Sequence, residues 1–391
     1  MKKVLSMFSV IALLSATAIG CGGGGQTAKE ETIKIATQSP LSGNSATLGE
    51  AIKLGAQMAL EENKEKFKQM GFNIELLPMD DQGDPKKGVA NAQQIGADQS
   101  VLGVVGHLNS GVAIPSSVVY EKFKLAMVSP ANTAIEITER GMKSVNRICA
   151  RDDFQGPAAA AYALNDLKAK NIFVIQDKTA YGQGLADNFK SAAEKMGANI
   201  VGYEGITIGE KDFNGVLNQV AAKKPDLVYF GGLYAEGGIL VKQAREKGLN
   251  IPIMGGDGLD SSTIVQIAGD SIKNTFYTSV AADVSKSPKG KEWADAYEKK
   301  FGKKPESFSF YGYDAMGVLL KGLEDAIKQN GNKKPTREQV MNAVRAIQDY
   351  EGVATKVAFD EKGDNKYAKV FIFKFDNQAY PGTLVGEKSK N

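Results

Sequence analysis

The sequence has 391 residues, of which 42% are hydrophobic and 24% are charged, and its formal net charge is only +3. This is the composition of a folded globular protein that is too long for one compact core, so we expect two domains. Lysine and arginine are scattered among aspartate and glutamate along the chain. Because the basic patch with interleaved aromatic residues that binds a phosphate backbone is missing, we expect no nucleic-acid partner.

The first 20 residues predict an export signal. Lys2 and Lys3 supply a positive start, residues 4–19 supply an apolar segment too short for a stable membrane span, and small residues precede Cys21. The A-I-G-C ending resembles the lipobox of bacterial lipoproteins, in which the cysteine is acylated and becomes the first residue. The resemblance implies a lipoprotein signal peptide over 1–20 and lipidation of Cys21. The alternative is plain secretion with a spare cysteine.

Residues 21–31 are rich in glycine and polar side chains, which is typical of a flexible tether. If Cys21 carries lipid, Cys149 is the only remaining thiol and cannot form an internal disulfide. Stability must then come from burial, although export would permit disulfides. We expect Cys149 to be a small buried residue.

Beyond the tether, short β-branched runs alternate with amphipathic stretches. The β-branched runs predict strands at 32–37, 73–79, 101–105, 125–128, 171–175, 199–205, 227–230, 251–254, 276–280 and 370–375. The amphipathic stretches predict helices at 49–68, 85–99, 114–123, 155–168, 185–195, 213–222, 237–247, 291–300, 313–329 and 337–346. Strands that alternate with helices indicate an α/β fold with parallel sheets.

Two predicted helix starts carry proline signals. Asp84 precedes Pro85 and can cap the helix that follows, and Gly156-Pro157 is expected to open an alanine-rich helix. The acidic run at 80–84 could instead hold a cation. A turn with a helix cap is the preferred interpretation, because the carboxylates lack the alternating spacing and the distal glutamate of a calcium loop.

Motifs for catalysis, cofactors and metals are incomplete. The G-Q-G at 182–184 begins like a dinucleotide fingerprint, but Asp187 stands where a small residue is needed and would repel a pyrophosphate. Residues 83–88 have the spacing of a phosphate loop but lack its lysine. His107 is the only histidine, so we expect a structural role, with its ring hydrogen-bonded near a strand end. We expect no catalytic residue, no metal site and no cofactor.

Five loops that leave predicted strands are rich in small and polar residues, at 108–111, 129–133, 176–182, 231–236 and 255–258. Where such a loop enters a helix, free backbone N–H groups and the helix dipole suit a ligand carboxylate. Thr133 can both donate and accept hydrogen bonds, and Asp257 is a single carboxylate among glycines. This pattern indicates a ligand-binding site at the ends of the strands.

Five motifs, read in order, resemble the periplasmic branched-chain amino-acid-binding proteins of the leucine/isoleucine/valine-binding family: G-H-L-N-S, S-P-A-N-T-A, D-K-T-A-Y-G-Q-G-L-A, G-I-T-I-G-E-K-D-F and D-E-K-G-D. The similarity covers about 32–375. It implies a type I periplasmic binding protein, or Venus flytrap: two doubly wound α/β lobes joined by three crossings, with the ligand in a central cleft. Lobe one would be 31–150 with 281–355, and lobe two 151–280 with 356–391.

The resemblance also implies residue roles. Ser110 and the backbone of Thr133 would hold the α-carboxylate of the ligand. The carbonyl of Ala131, the hydroxyl of Thr133 and the acid Asp257 would hold its α-ammonium. In a closed, dry cleft both ligand charges would then be compensated.

Further residues would cover the ligand. Tyr181 and Tyr234 would close over it from lobe two and help to latch the closed form, although either could be an ordinary partly buried tyrosine. Leu48, Leu108 and Phe308 would form an apolar pocket for an aliphatic side chain. The remaining candidate ligand-binding residues are Asn109, Asn132 and Leu233.

Several positions depart from the family pattern. Gly83 and Asn109 stand where well-studied members have a disulfide pair, so that bond is absent here. Leu48 replaces an aromatic residue, Leu233 stands where a tyrosine is usual, and Asp257 is one methylene shorter than the usual glutamate. A shorter acid can shift the ligand or admit a water, and one methylene gives only modest discrimination, so related ligands are expected to compete.

The expected function is that of an exported binding protein, anchored to the membrane by lipid at Cys21, that closes on a free amino acid such as leucine, isoleucine or valine. It would deliver this ligand to the membrane subunits of an ABC permease. Two alternatives stay open: a ligand-sensing module of the same fold that reports to a receptor, and a binder of another small amino acid or carboxylate. An enzyme that uses His107 would be distinguished by ligand turnover.

Overall fold

The computed structural model describes residues 31–281, 284 and 287–389. The predicted signal peptide, Cys21 and the tether up to residue 30 lie outside these residues. Two largely parallel sheets with packed helices, together with a small two-stranded antiparallel sheet, make up the described part. The predicted α/β class with two doubly wound units is therefore confirmed. None of the described helices combines the length and the apolar composition needed to cross a membrane.

The first sheet contains five parallel strands in the order β2-β1-β3-β4-β5. Its elements follow one another as β1 (Glu31–Ser39), α1 (Ala46–Gln69), β2 (Phe72–Asp80), α2 (Pro85–Ala97), β3 (Val101–Gly106), α3 (Ser110–Lys122), β4 (Ala126–Ser129), α4 (Glu136–Glu139) and β5 (Val145–Arg147). Every residue of β3, V-L-G-V-V-G, is buried, as expected for a central parallel strand covered on both faces. The strand order reverses between β1 and β3, and ligands of such sheets bind beyond the carboxyl ends of the strands at this switch point.

The second sheet contains seven strands in the order β14-β13-β10-β9-β8-β6-β7. Its parallel part consists of α5 (Asp152–Asn165), β6 (Asn171–Gln176), α6 (Ala180–Lys195), β7 (Asn199–Gly205), α7 (Asn214–Lys223), β8 (Leu227–Gly231), α8 (Tyr234–Glu246), β9 (Ile253–Gly255), α9 (Ser262–Ala268) and β10 (Thr275–Ser279). Short 3₁₀ turns at Asp257–Leu259 and Gly269–Ile272 flank α9. The strand order of this sheet reverses between β6 and β8, which creates a second switch point.

After β10 the chain returns to the first sheet. The helices α10 (Pro288–Phe301), α11 (Ser307–Gln329) and α12 (Arg337–Arg345) follow, and α11 packs along α1 and against β3 and β4. The short strands β11 (Tyr350–Glu351) and β12 (Lys356–Val357) precede the antiparallel β13 (Lys369–Phe375) and β14 (Thr383–Ser389), which complete the second sheet. The chain thus passes between the two sheets three times, and the lobe limits given above stay a prediction.

Some helices begin earlier than predicted. Helix α5 starts at Asp152, so the prediction that Gly156-Pro157 opens this helix is wrong. The proline removes one helical hydrogen bond, to the carbonyl of Asp153, and this exposed residue can bond to water instead. Helix α3 likewise starts at Ser110 and not at residue 114, which places a predicted ligand-binding residue in its first turn.

Four strands were not predicted: β5, β11, β12 and β14. The strands β11 and β12 have only two residues each. Strand β5 has only three residues, and β14 is an edge strand whose sequence, T-L-V-G-E-K-S, is polar and largely exposed. Edge strands tolerate charged residues because one side of the backbone faces water, so β14 lacks the apolar signal of a central strand.

Candidate ligand-binding cleft

Loops from the carboxyl ends of both sheets meet around a small cavity. The residues on the first-sheet side, here called the first wall, are Leu48, Leu108, Asn109, Ala131 and Phe308. Ser110 follows Asn109 in the chain and Thr133 follows Ala131 by two positions, and both are counted with this wall. The residues on the second-sheet side, the second wall, are Tyr181, Leu233, Asp257 and Gly258. All the cavity-lining residues except Gly258 were predicted to bind ligand.

The two walls are closed against each other. The cavity between them is about 20 Å³, close to the space that one water requires. Across the cleft, the N–H of Thr47 in α1 donates to the hydroxyl oxygen of Tyr234 in α8 (3.3 Å), and the hydroxyls of Thr47 and Thr263 are 2.9 Å apart. The N–H of Ser262 donates to Glu306 at the start of α11 (3.0 Å). A ligand larger than water does not fit into the cavity in this state.

Helix α3 points its N-terminus at the cleft. Ser110 is its first residue and is buried, and the first N–H groups of a helix have no partner within the helix. Asn109 is at the N-cap position, but its side chain makes no capping hydrogen bond, and its buried Oδ1 has no partner among the described residues. The positive end of the helix dipole is therefore available to an anion.

Thr133 lies beside this helix start, in the loop after β4. The residue is fully buried, and its hydroxyl has no hydrogen-bond partner among the described residues. A buried hydroxyl without a partner costs about 1–3 kcal/mol of folding free energy. Such an atom marks a position where a polar group of a ligand would be stabilised.

Asp257 supplies the negative charge of the second wall. Its Oδ1 accepts hydrogen bonds from the hydroxyl of Tyr181 (2.8 Å) and from Nε2 of Gln155 (2.9 Å), whereas Oδ2 receives none from the described residues. Burial raises the pKa of Asp257 to about 6, although the bonds from Gln155 and Tyr181 lower it. The carboxylate is thus charged at neutral pH, with one oxygen left for a cationic donor.

Asp152 is a second buried acid close to the cleft, and sequence reasoning missed it. It is the first residue of α5, and neither carboxylate oxygen has a partner among the described residues. Its N–H donates to the carbonyl of Thr133 (2.9 Å), so the acid adjoins the first wall. Burial raises its pKa well above the ordinary value and the nearby charge of Asp257 raises it further, although the neighbouring hydroxyl of Thr133 and the charge of Arg147 lower it. In the sequence R-D-D-F it looks like an ordinary acidic residue of a first helical turn.

The model of the periplasmic binding protein family matches residues 32–379. This chain belongs to that family. The periplasmic binding protein is therefore an extracytoplasmic solute-binding protein and not an enzyme.

Individual relatives refine this assignment. The Leu/Ile/Val-binding protein BraC3 of Rhizobium johnstonii is 37% identical over 88% of this chain and 92% of its own length. The leucine-binding protein LivK of Thermotoga maritima has a similar structure, with a TM-score of 0.83 and 28% identity over 92% of this chain and 99% of that chain. LivJ of Streptococcus pneumoniae, solved with isoleucine, has a TM-score of 0.82 and 26% identity with the same coverage. The predicted resemblance to the leucine/isoleucine/valine-binding proteins is confirmed.

Gln155 holds the second wall of this binding protein together, and it was also missed. Its Nε2 donates to Asp257, and its Oε1 accepts from the N–H of Asp257 (3.1 Å) and from the hydroxyl of Thr278 (2.7 Å). The hydroxyl oxygen of Tyr181 similarly accepts from the N–H of Gly258 (2.7 Å). These bonds fix the carboxylate between two elements that lie about a hundred residues apart in the sequence.

Four of the predicted ligand-binding residues do not line the cavity of the binding protein: Ser110 and Thr133, which adjoin it in the chain, and Asn132 and Tyr234. The side-chain amide of Asn132 makes three hydrogen bonds: it accepts from the N–H of His107 (2.9 Å) and the hydroxyl of Ser129 (2.8 Å), and it donates to the carbonyl of Leu108 (2.9 Å). It therefore joins the two loops of the first wall. Tyr234 is buried and accepts a hydrogen bond from α1 across the cleft, and its role as a latch stays a prediction.

His107 occupies a closed polar network behind the first wall. Its Nδ1 is 3.2 Å from Oδ2 of Asp81, and its Nε2 is 3.3 Å from the hydroxyl of Tyr120, which donates to Gln38 (2.6 Å). The ring is fully buried at the end of β3, where the sequence predicted it. Asp81 belongs to the acidic run at 80–84, which forms a turn whose Asp84 caps α2.

Cys149 and the pair Gly83 and Asn109 also match their predicted surroundings. Cys149 is buried, its thiol donates to the carbonyl of Asn132 (3.6 Å), and burial raises the pKa of the thiol. A Cβ atom on Gly83 would lie 3.4 Å from Oδ1 of Asn109. The two positions are therefore neighbours, as a disulfide pair in relatives would require.

A larger groove of about 860 Å³ lies beside the cleft, between α1, α10 and the residues around Tyr380. It is open to solvent and lined by side chains of both charges, such as Glu50, Lys303 and Glu306. It contains none of the predicted ligand-binding residues, so the small cavity is the better candidate site.

Proposed function

We propose that this chain is the substrate-binding component of an ABC transporter and that it binds a branched-chain or similar aliphatic amino acid in the cleft. One observation carries the proposal: an uncapped helix start in the first wall faces a buried carboxylate in the second wall across an apolar cavity. A free amino acid has the matching anion, cation and apolar side chain. The names of the relatives BraC3 and LivK and the isoleucine complex of LivJ support this class of ligand.

The α-carboxylate of the ligand is assigned to the first wall. The N–H and hydroxyl of Ser110, at the start of α3, and the N–H of Thr133 would donate hydrogen bonds to it. Charge-assisted bonds of this kind are stronger than neutral ones. The helix dipole adds to their effect because it places partial positive charge at the same point.

The α-ammonium is assigned to the side of the cleft where acceptors converge. Oδ2 of Asp257, the hydroxyl of Thr133 and the carbonyl of Ala131 would accept its three N–H groups. Asp152 adds a second carboxylate close by, whose pKa would fall toward its ordinary value once a cation is bound. Both ligand charges would be compensated inside a closed site.

The side chain of the ligand would contact the apolar part of the cavity. Leu48, Leu108 and Phe308 of the first wall and Leu233 of the second wall are its apolar lining residues. Since the cavity is small when the walls touch, the ligand would replace part of the contact between the walls. The closed, ligand-bound form is the state that a permease would select.

For the location of the protein, we propose a lipid anchor at Cys21 followed by the tether at 21–31. The anchor would keep the binding protein near the permease. Mass spectrometry of the exported protein would show a diacylglyceryl-modified N-terminus at Cys21. An unmodified N-terminus at another residue would support plain secretion.

The first experiment is a calorimetric titration of the chain from residue 26 onward with leucine, isoleucine, valine and the other standard amino acids. We expect binding of at least one aliphatic amino acid and a thermal stabilisation of about 2.7 kcal/mol at 100 times its dissociation constant. Ser110→Ala and Asp257→Ala should both weaken binding. Near-normal affinity in both variants would contradict the proposed site, and no response to any amino acid would contradict the ligand class.

A second experiment tests transport against sensing. Deletion of the gene should abolish high-affinity uptake of the radiolabelled ligand, and restoration of the gene should recover it. Unchanged uptake, together with normal binding in vitro, would favour a sensing module of the same fold.

A further inference from the structure

We propose that Arg147 is a positioning residue for the ligand: it orients the loop that carries Thr133, an inference that rests on the proposed function. Arg147 is the last residue of β5 and is completely buried. Its Nη1 donates to the carbonyl of Asn132 (2.9 Å) and to the carbonyl of Ala134 (2.8 Å). These are the two residues on either side of Thr133.

The geometry of the peptide bond explains how this contact acts on the ligand. The carbonyl of Asn132 and the N–H of Thr133 belong to one planar unit, in which they point in opposite directions. When Arg147 holds the carbonyl on one side, the N–H is directed to the other side, toward the cleft. The bond to Ala134 fixes the following residue as well. The backbone donor that would bind the ligand carboxylate is therefore aimed by a side chain that does not touch the ligand.

The carboxylate of Asp364 neutralises the buried guanidinium of Arg147. Oδ1 of Asp364 accepts from Nε of Arg147 (2.8 Å) and lies 2.8 Å from Nη2, which also donates to the hydroxyl of Thr138 (2.6 Å). Arg151 binds the other oxygen of Asp364 (3.0 Å). Burial alone would raise the pKa of Asp364, but the two arginines lower it below its ordinary value. The carboxylate is thus ionised, as a buried guanidinium requires.

Asp364 lies in a segment of the chain that contains none of the proposed ligand-binding residues. Asp364 ends the D-E-K-G-D motif at 360–364, in the third passage between the sheets. The backbone of Arg147 is also hydrogen-bonded to this segment. The N–H of Arg147 donates to the carbonyl of Gly363 (2.8 Å), and the N–H of Asn365 donates to the carbonyl of Arg147 (3.0 Å). Arg147 therefore connects the ligand loop to a segment that joins the two halves of the molecule.

The test compares two ligands in the exported mature protein. Leucine has a carboxylate, whereas leucinamide keeps the ammonium and the side chain but has a neutral amide in its place. In Arg147→Lys the charge remains, but a single amino group cannot reach both carbonyls together with Asp364 and Thr138. We expect the affinity for leucine to fall at least about tenfold, the effect of losing one hydrogen bond to a charged group. The affinity for leucinamide should fall much less, so that the ratio of the two affinities decreases.

Arg345→Lys is the matched control. The guanidinium of Arg345 also holds the first sheet, through the carbonyl of Val145 (2.6 Å), Oδ1 of Asn146 (2.7 Å) and the carbonyl of Glu361 (3.0 Å). It makes no hydrogen bond to the loop at 131–134. We expect this variant to lose thermal stability while its affinity for leucine stays that of the wild type.

The outcomes separate the two proposals. Wild-type affinity for leucine in Arg147→Lys, or an equal loss for leucine and leucinamide, would overturn the positioning role and leave the proposed function intact. A wild-type protein that binds no amino acid would overturn both. If Arg147→Lys does not fold, Thr138→Val removes one partner of the guanidinium and keeps the side-chain shape. A decrease of about threefold for leucine alone would then support the role, because a single bond is loosened, and no decrease would overturn it.

Discussion

The two walls of the cleft differ in how they present charge. In the first wall the polar groups are neutral: a helix start at Ser110 and the hydroxyl and N–H of Thr133. In the second wall a buried carboxylate, Asp257, is held by Tyr181 and Gln155. The N–H donors of the first wall suit an anion, whereas the carboxylate of the second wall suits a cation. A zwitterion makes all its bonds only when both walls contact it, which couples binding to closure.

Removal of the negative charge of Asp257 in the second wall should cause the largest loss of leucine affinity. In Asp257→Asn the hydrogen bonds from Tyr181 and Gln155 can persist, but the ammonium loses its counter-charge. We expect the affinity for leucine to fall about a hundredfold, since bonds to charged groups contribute up to about 3 kcal/mol. Calorimetry measures the change. The control is Asp177→Asn, a buried acid of the same sheet that bonds to Thr179 and does not line the cavity.

Equal losses of leucine affinity in Asp257→Asn and Asp177→Asn would remove the special role of the second wall. The two variants should also differ in ligand dependence. Leucinamide keeps the ammonium, so its affinity should fall in Asp257→Asn as strongly as that of leucine.

Loss of the hydroxyl of Thr133 in the first wall should have opposite effects on binding and stability. Thr133→Val keeps the side-chain shape and removes a buried hydroxyl that has no partner among the described residues. We expect leucine affinity to fall about tenfold, and the free energy of unfolding without ligand to rise by about 1 kcal/mol. The measurements are calorimetry and urea unfolding. The control, Thr275→Val, removes a similar hydroxyl in β10, away from the cavity, and should raise stability without weakening binding.

The pH dependence of binding should follow the second wall. The pKa of Asp257 is raised to about 6, so its ionised form, which binds the ammonium, prevails above this pH. At pH 5 about a tenth of the groups remain ionised, and leucine affinity should be about tenfold weaker than at pH 7.5. The raised pKa of Asp257 also affects the free energy of unfolding, which should increase as the pH falls, whereas leucine affinity decreases. The cost of burying this charge is present above pH 6 and is relieved as the pH falls toward the ordinary value of the acid.

The variant Asp257→Asn identifies the titrating group. It should lose the pH dependence of leucine affinity between pH 7.5 and 5. A dependence that persists in the variant would show that the titrating group is not Asp257.

The smallest loss of leucine affinity is expected from the contact between Thr47 and Tyr234, which joins the two sides of the cleft. Tyr234→Phe removes the hydroxyl that accepts from the N–H of Thr47 (3.3 Å). Because this single bond between neutral groups is long, we expect a two- to fivefold loss of leucine affinity, about 0.5–1 kcal/mol. The control is Tyr203→Phe, whose hydroxyl bonds to Asp187 on the surface of the second sheet (2.6 Å). A larger effect at the control position would show that Tyr234 is not a latch.

Much of the site could be predicted because its loops follow strands whose order along the chain is clear. The resemblance motifs place Ser110, Ala131 and Tyr181 in such loops, and Asp257 lies in the glycine-rich loop at 255–258. The structure brings these loops together at two switch points. The start of α3 was less predictable. The amphipathic pattern predicted a start at residue 114, whereas the helix includes Pro115 and begins at Ser110.

The residues that were missed have partners far away in the sequence. Gln155 bonds to Asp257 across 102 positions, and Arg147 bonds to Asp364 across 217. Asp152 looks like an ordinary acid of a first helical turn until its burial is known. Local composition carries no information about such contacts, because they form only when separate elements pack against each other.

The sequence by itself determined the alternation of strands and helices, the polar loops at strand ends and the family resemblance, because these depend on local periodicity and on short motifs. Tertiary structure decided which polar atoms lack partners, how strongly burial raises the pKa values of Asp257 and Asp152, and which side chain holds the Thr133 loop. The physical reason is that desolvation and hydrogen-bond pairing depend on everything that surrounds a group. In this protein those surroundings come from elements far apart in the sequence, such as Gln155 for Asp257 and Asp364 for Arg147.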